Sequence, residues 1–370
     1  MTGGYKVNRS TYLGELEGLR AVAALGIVVT HVAFQTATDS ALFARFDYFV
    51  AVFFALSAFL LARGGHRKLY PYIIKRTARI APAYLACVGI VLVALPEAGS
   101  VSLGQAAANL AMLQIYVPDG LIAGLTQLWS LCVEVAFYLV LPLYLALGRK
   151  GRLVALVAGI IVGFAWPWLP FVRDSIEIFN VNLQIWPMSY ASWFAVGLVC
   201  AELEGRVSPL VQRVLRARWV YWIAALTVAW LAGQEYVGPL GLEHPSPLEF
   251  NIRILLGAVF CALIVVPYAL APSQGVLGGE VMRTLGTWSY SIFLWHVAVL
   301  TVVFPLLGIP MFSGYFFAVL AATVVLSIAV SYISYELVER PGARWIQRVG
   351  GARHTSAAQP ATTIATEFPA

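Results

Sequence analysis

Charged side chains are scarce in this chain of 370 residues. Asp, Glu, Lys and Arg together supply 11% of the residues, whereas hydrophobic residues supply 60%. A soluble globular domain usually has about a quarter of its residues charged. The shortage excludes a soluble catalytic domain and indicates a protein whose solvent is the lipid bilayer.

Cysteine is also rare, and its spacing carries no motif. Cys87, Cys132, Cys200 and Cys261 stand singly inside apolar runs. Without paired spacing they do not indicate a disulfide framework or a cysteine zinc site. Ligand residues of other types do not cluster at metal-binding spacing either. We therefore expect the cysteines to be small core residues, and we expect no bound metal.

Long apolar runs recur along the whole chain, each close to the roughly 20 residues that a helix needs to cross a bilayer. We predict ten spans, at about 14–35, 47–63, 80–97, 128–147, 153–171, 189–204, 218–236, 252–271, 284–306 and 313–337. The apolar stretch 103–118 contains Gln105, Asn109 and Gln114, so a re-entrant or interfacial helix is expected there.

The expected fold class is all-α, a polytopic integral membrane helical bundle of about ten transmembrane helices. Residues 1–349 would form one transmembrane domain. Residues 350–370 are rich in Ala, Thr, Pro and Ser and are predicted to be a disordered cytoplasmic tail.

The distribution of Lys and Arg predicts the orientation of the spans. With the amino terminus inside, about twenty of these residues fall in cytoplasmic segments, whereas the outer loops hold Arg45, Arg173 and Arg253. Short cytoplasmic loops retain such an excess. We therefore expect a multi-pass protein of the bacterial inner membrane with both termini in the cytoplasm. The net charge of +6 then describes its inner face, so no nucleic-acid partner is expected.

Ionisable residues inside spans are costly and call for an explanation. Arg20 and His31 are eleven residues apart in the first span, which places them on one helix face, roughly 16 Å apart along the axis. A neutral imidazole can accept a proton from an alcohol, as a general base does. A hydrogen-bonded core histidine is the alternative, but the shared stripe with Arg20 favours a catalytic role.

A basic cluster lies just before the predicted third span. Lys75, Arg76 and Arg79 form it, and the two arginines are three residues apart and so share a helix face. Two guanidinium groups could hold the phosphates of a nucleotide-like donor. Anchoring at the inner face or contact with anionic lipid would produce the same residues without any ligand.

Glu134 and Tyr138 lie four residues apart in the fourth predicted span and face the same way. We expect Glu134 in the outer half of the span, where its carboxylate would orient the imidazole of His31 or position a substrate hydroxyl. A protonated structural glutamate and a proton relay are the alternatives.

Two further groups of polar residues occur near the end of the chain. Ser289 and His296 are seven residues apart on one face of the ninth span, with Tyr290 and Trp295 between them. Such aromatic residues suit sugar or acyl contacts, although they also form ordinary membrane belts. Glu336, Glu339 and Arg340 precede Pro341, and we expect them to form an internal ion pair that closes the last helix.

Several motifs in the same order resemble the membrane-bound acyltransferase family 3, over about residues 10–345. They are Glu17-Gly18-Leu19-Arg20-Ala21 followed by His31, Phe53-Phe54-Ala55-Leu56-Ser57-Ala58-Phe59-Leu60, Arg76-x-x-Arg79-Ile80-x-Pro82-x-Tyr84, Trp129-Ser130-Leu131 through Glu134 to Phe137-Tyr138, and Tyr290 to His296. The resemblance implies a ten-helix acyltransferase core. Ala58 departs from it, since the family commonly has glycine after the serine, here Ser57.

The resemblance also implies roles for individual residues. His31 and Arg20 match the essential histidine and arginine of the family, Arg76 and Arg79 match its donor-site pair, and Glu134 matches its acidic position. Ser57, Tyr138, Ser289, Tyr290, Trp295 and His296 are further pocket candidates.

The expected activity is O-acylation. Acyl-CoA would be the cytoplasmic donor, with acetyl as the default acyl group, and no bound cofactor is expected. The acceptor would be a hydroxyl of an extracytoplasmic glycan or glycolipid, with His31 as general base or covalent acyl carrier. A proton-coupled transporter or flippase and a non-catalytic membrane scaffold are the competing interpretations. The sequence assigns neither the acceptor nor the oligomeric state.

Overall fold

The fold is a bundle of helices, seen here in a computed structural model that describes residues 13–65, 68–239 and 243–356. All regular secondary structure in these three segments is helical. The first eight α-helices are α1 (Gly14–Gln35), α2 (Ala41–Ala44), α3 (Phe49–Arg63), α4 (Leu69–Ala94), α5 (Leu103–Leu110), α6 (Trp129–Ala146), α7 (Arg149–Ala165) and α8 (Pro170–Arg173). The others are α9 (Ser175–Phe179), α10 (Ala191–Leu203), α11 (Pro209–Leu215), α12 (Arg218–Ala232), α13 (Pro247–Leu270), α14 (Glu280–Leu307), α15 (Phe316–Ser334) and α16 (Arg340–Ser356).

The helices confirm an all-α membrane bundle. Within the described segments, eight are long and apolar enough to span a membrane, and a ninth results if α11 and α12, bent by 59°, count as one span. Ten spans were predicted, and the difference lies at 189–204. There α10 has only 13 residues, after a 3₁₀ turn over Pro187–Tyr190, and is too short to count as a span. The stretch 103–118 holds the eight-residue α5, which is too short to cross.

Two predicted boundaries are wrong. Helix α4 begins at Leu69 rather than near residue 80, so the basic cluster lies inside the helix. The last span does not close at Pro341, because a π-helical segment over Tyr335–Glu339 joins α15 to α16, which continues to Ser356. The π-helical turn widens the backbone directly before the proline, whose ring would crowd an α-helical turn. The predicted disorder of the tail stays a prediction, since residues 357–370 lie outside the described segments.

One end of the bundle carries basic residues that are held by ion pairs. Its ion pairs join Arg63 to Glu204 at 2.7 Å, Arg152 to Glu202 at 2.6 Å and Arg218 to Glu15 at 3.4 Å. These pairs link the start of α1, the ends of α3 and α10, and the starts of α7 and α12. We call this the basic end. The four cysteines are buried in the bundle, as predicted for core residues.

Helices α1 and α14 run in the same direction and pack very closely. A Cβ atom added at Gly286 of α14 would lie 2.1 Å from the carbonyl oxygen of Glu17 in α1. Glycine is therefore required for this approach, which is how small residues bring membrane helices together. The contact fixes the register in which the carboxyl-terminal halves of the two helices face each other.

Candidate active site

A cavity of about 320 Å³ opens among α1, α3, α4, α6 and α14, and we call it the chamber. Most of the site residues predicted from the sequence meet in its lining. These are Arg20, Ser57, Arg76, Arg79, Glu134, Tyr138, Ser289 and Tyr290. Polar side chains from five helices therefore converge on one volume, although their motifs are spread over 271 positions of the chain.

Glu134 is held by two hydroxyl groups on one side of the chamber. The Ser57 hydroxyl donates a hydrogen bond of 2.5 Å to Oε1 of Glu134, and the Tyr138 hydroxyl donates one of 2.6 Å to the same atom. The α-helical spacing of four residues brings Tyr138 beneath Glu134. No donor in the described segments reaches Oε2, which leaves that oxygen for another hydrogen-bond donor.

Glu134 was expected to orient the imidazole of His31, but its hydrogen-bond partners are Ser57 and Tyr138. Glu134 shares the chamber with Arg20, Arg76 and Arg79, towards the basic end, whereas His31 is not part of the chamber lining. The contacts of Glu134 therefore do not include the expected one with His31, and its place in the outer half of the span stays a prediction. Within the candidate span Thr126–Ala146, Glu134 follows Thr126 by about two helical turns.

The two arginines of the basic cluster differ in how their charge is balanced. Arg79 forms an ion pair with Glu339 and lies over the Tyr290 ring, 5.4 Å from its centroid. Arg76 lies 5.8 Å from the centroid of the Tyr138 ring, and its buried Nε atom has no hydrogen-bond partner. Among the described residues Arg76 has no ion pair, so it brings an unbalanced positive charge to the chamber wall.

Arg20 contributes a third guanidinium group to this wall. Its only ion-pair contact in the described segments is a loose one of 3.9 Å to Glu17, one turn earlier on α1. About a fifth of its side chain is exposed, towards the chamber that it lines. The chamber therefore combines three guanidinium groups with one carboxylate held by hydroxyls, which suits a ligand that carries negative charge.

Glu339 is the principal residue that the sequence misplaced. The expected pair does form between Arg340 and Glu336, at 2.9 Å. Glu339, however, turns inward, accepting hydrogen bonds from Arg79 on Oε1 and from the Ser291 hydroxyl on Oε2, the latter at 2.8 Å. The π-helical segment changes the number of residues per turn, so Glu336 and Glu339 do not share a face as they would in an α-helix.

His31 and His296 form a pair in the direction away from the basic end. The Nε2 atom of His296 lies 3.1 Å from the Nδ1 atom of His31. His296 is fully buried, and its Nδ1 atom lies 2.7 Å from the Phe293 carbonyl oxygen and 3.2 Å from that of Ile292. Carbonyl oxygens only accept hydrogen bonds, so Nδ1 of His296 carries the proton and its Nε2 is the acceptor.

The same reasoning assigns the protons of His31. Its Nδ1 atom lies 2.9 Å from the Ile27 carbonyl oxygen and faces the acceptor nitrogen of His296, so Nδ1 carries the proton. Nε2 of His31 then holds the free lone pair. No partner for that atom occurs within the described part of the chain. Such a nitrogen can accept a proton or form a bond to an acyl carbon.

Two phenylalanine rings connect the chamber with the histidine pair. Phe53 and Phe293 both line the chamber, with ring centroids 6.2 Å apart. The Phe293 ring also lies 5.8 Å from the His296 ring. His296 is one helical turn beyond Phe293 on α14. The histidine pair therefore lies directly behind an aromatic wall of the chamber. The sequence placed Phe53 and Phe293 inside motifs but did not indicate that the two rings meet.

Comparison with known proteins identifies the family. The family model described as an acyltransferase domain matches residues 13–332. The chain belongs to the membrane-bound acyltransferase family 3. It is therefore a membrane acyltransferase rather than a transporter or a non-catalytic scaffold.

Similar proteins of known name are also acyltransferases or participate in glycan production. The acyltransferase MdmB of Streptomyces mycarofaciens is 30% identical over 326 residues, which cover 81% of this chain and 82% of MdmB. The exopolysaccharide production protein ExoZ of Rhizobium meliloti is 27% identical over 83% of this chain and 92% of its own. The peptidoglycan O-acetyltransferase OatA of Listeria monocytogenes is 25% identical over 89% of this chain but only 56% of OatA. No solved structure matches the chain.

Two remaining site candidates of the acyltransferase lie outside the chamber lining. Trp295 is buried beside His296 on α14, and its indole Nε1 atom has no hydrogen-bond partner among the described residues. Lys75 lines a second cavity at the basic end, together with Arg76 and Arg79. The two arginines therefore border both this cavity and the chamber.

Proposed function

We propose that this acyltransferase moves an acyl group, acetyl by default, from acyl-CoA to a hydroxyl of a glycan or glycolipid. One observation carries the proposal. The hydrogen bonds of His31 are on Nδ1, which leaves the lone pair of Nε2 free, and only the Phe293 ring stands between the histidine pair and a chamber lined by guanidinium groups. The named activity of OatA and the role of ExoZ in exopolysaccharide production support a glycan acceptor.

The donor enters from the basic end, which we assign to the cytoplasm of a bacterial inner membrane. The ion-paired and free basic residues gathered there support this orientation, since cytoplasmic segments retain Lys and Arg. Both termini then lie in the cytoplasm. The acceptor approaches from the opposite side, where α1 and α14 end at Gln35 and Leu307.

In the reaction, the phosphates of the donor are held by Arg76 and Arg79, and the thioester arm passes through the chamber towards Phe293 and His31. Arg20, in the chamber wall, either binds the thioester arm or stabilises the negative charge that develops during the reaction. Glu134 accepts a hydrogen bond from an N–H group of the arm on its free Oε2 atom. Ser57 and Tyr138 keep the carboxylate in place for this contact.

The chemical step is a general-base transfer. Nε2 of His31 takes the proton of the acceptor hydroxyl, and the oxygen attacks the thioester carbonyl carbon. The C–S bond then breaks, and the leaving thiolate takes the proton back from His31, which gives an ester and free CoA. In the alternative order His31 Nε2 attacks the thioester carbon first, the C–S bond breaks, and the CoA thiolate leaves while Nε2 carries the acyl group as an acyl-imidazolium. The acceptor hydroxyl then attacks the acyl carbon, the N–C bond breaks, and the hydroxyl proton passes to the thiolate. Both orders need the same nitrogen and the same proton on Nδ1.

Mass spectrometry of surface glycans and secreted glycolipids tests the proposal. A host lacking the gene would produce either the wild-type chain or the His31→Ala and His31→Gln variants, at equal membrane levels. We expect an acyl mass increment with the wild type only, because neither replacement supplies a basic nitrogen. His244→Gln is the matched control, since His244 lies on an exposed loop. Transfer that survives in His31→Gln would overturn both orders of reaction.

A further inference from the structure

The second cavity, which we call the vestibule, has a volume of about 350 Å³ and lies between α4, the π-helical segment and α16. Its polar lining comes from all three elements, and the π-helical segment contributes Tyr335 and Glu339. From α4 come Lys75, Arg76 and Arg79, and from the start of α16 come Arg340, Arg344 and Gln347. The three residues of α16 are spaced by four and three positions, so they share one helix face, which is turned towards α4.

The vestibule contains more positive charge than the protein neutralises. Arg79 is paired with Glu339, and Arg340 is paired with Glu336. The other three cations, Lys75, Arg76 and Arg344, have no ion pair within the described segments. Like charges around one small cavity repel each other, and an anion that binds between them removes the repulsion.

The usual excess of basic residues at an inner membrane face does not explain why these cations of α4 and α16 surround one cavity. That excess needs only a number of charges in the loops, not a shared cavity. Here α16 is pressed against α4, since a Cβ atom at Gly342 would lie 2.6 Å from Cβ of Pro82 and one at Gly350 would lie 2.9 Å from Ile74. The close packing holds the cations of α16 opposite those of α4.

The vestibule and the chamber meet at two residues. Arg76 and Arg79 line both cavities, whereas Lys75 and Arg344 line the vestibule alone. A ligand that fills both cavities must therefore have an anionic end and a narrower arm that starts near the two arginines. An acyl-CoA has this form, because its arm leaves from the diphosphate and its 3′-phosphate lies further away on the ribose.

We propose that the vestibule binds the 3′-phosphorylated nucleotide end of the acyl donor. Arg76 and Arg79 hold the diphosphate at the junction, and Lys75 and Arg344 hold the 3′-phosphate. This assignment rests on the proposed function for the donor class. It adds residues of α16 to the donor site and a preference for a phosphate at the 3′ position.

Binding measurements with CoA and 3′-dephospho-CoA test the assignment on the full-length protein in nanodiscs of phosphatidylcholine. We expect the wild type to bind CoA about tenfold more tightly, the effect of roughly one charge-assisted hydrogen bond. Arg344→Gln and Lys75→Gln should lose this preference while keeping the affinity for dephospho-CoA. Arg348→Gln is the matched control, because Arg348 is also exposed on α16 but does not line the vestibule.

The outcomes separate this proposal from the proposed function. No binding of either nucleotide would overturn the donor class and the subsite together. Equal binding of both by the wild type, or an equal loss of both in Arg344→Gln, would overturn the subsite alone. A second measurement in nanodiscs with phosphatidylglycerol tests a lipid phosphate as the occupant, and competition that removes the CoA preference would overturn the donor assignment. The His31→Gln variant should bind CoA normally.

Discussion

The Nε2 atom of His296 accepts a hydrogen bond from Nδ1 of His31 across 3.1 Å, between helices whose two histidines are 265 positions apart in the chain. The partner of an imidazole base is often a carboxylate, which stabilises the charged imidazolium. Here the partner is a neutral imidazole with both of its own nitrogens occupied. His296 is therefore a positioning residue, which orients His31 without adding negative charge.

Replacing His296 separates orientation from charge. His296→Leu removes the acceptor and should lower the transfer rate by about tenfold to a hundredfold, within the range of a misaligned general base. His296→Gln retains a neutral acceptor oxygen and should keep much of the rate. Single-turnover transfer and CoA affinity would be measured together, and the affinity should not change. Equal loss in both variants, with folding intact, would contradict the positioning role.

Tyr138→Phe removes one of the two hydrogen bonds on Glu134 Oε1. Because Glu134 lies in the chamber and not beside His31, we expect a rise in KM for acyl-CoA of roughly tenfold with a smaller change in kcat. Tyr144→Phe is the matched control on the same helix, since the Tyr144 hydroxyl has no hydrogen-bond partner in the part of the chain that the structure describes. A fall in kcat at constant KM would place Glu134 in the chemical step instead.

Phe293 should limit the length of the acyl group, because its ring stands between the chamber and the histidine pair. Phe293→Leu gives the acyl chain more room, and we expect butyryl-CoA to gain about tenfold relative to acetyl-CoA, the effect of a methylene or two in an apolar pocket. Phe304→Leu, a buried replacement further along α14, provides the comparison. The two donors would be assayed in parallel, and an unchanged ratio would argue against a passage at Phe293.

Gly286→Ala should weaken the bundle. The new Cβ would lie 2.1 Å from the Glu17 carbonyl oxygen, so α1 and α14 must separate, at a cost of about 1–3 kcal/mol in the free energy of unfolding. Gly89→Ala on α4 meets nothing within 4 Å and should be neutral or slightly stabilising, through better helix propensity. Thermal unfolding in detergent compares the two, and equal melting temperatures would show that the contact is not tight.

The sequence was informative where the bilayer makes polar residues conspicuous. Arg20 and Glu134 stood out because apolar spans rarely contain such side chains, and both line the chamber. Ser57 came from the family motif alone, and it lines the chamber as well. The fold class followed from the apolar runs. The start of α4 was misjudged, since the basic cluster was expected just before the span, whereas the helix begins at Leu69 and includes Arg76 and Arg79, which face a cavity.

Other contacts depend on packing that no local pattern reveals. The pairing of His31 with His296 requires the register of α1 against α14, which the contact at Gly286 fixes. The inward turn of Glu339 requires a π-helical segment, which changes the helix face without a distinctive sequence signal. Phe293 is one of many apolar residues in its span, so the sequence does not show that its ring lies between the chamber and His296.

The distance along the chain between the two histidines also governs biogenesis. At a synthesis rate of about 5–20 residues per second, the ribosome needs roughly 13 to 50 s to make the 265 residues from His31 to His296. During that interval α1 has no α14 to pack against. The first helix must therefore remain beside the insertion machinery or in lipid, without the hydrogen bond from its imidazole to His296. The site forms only when α14 enters the membrane.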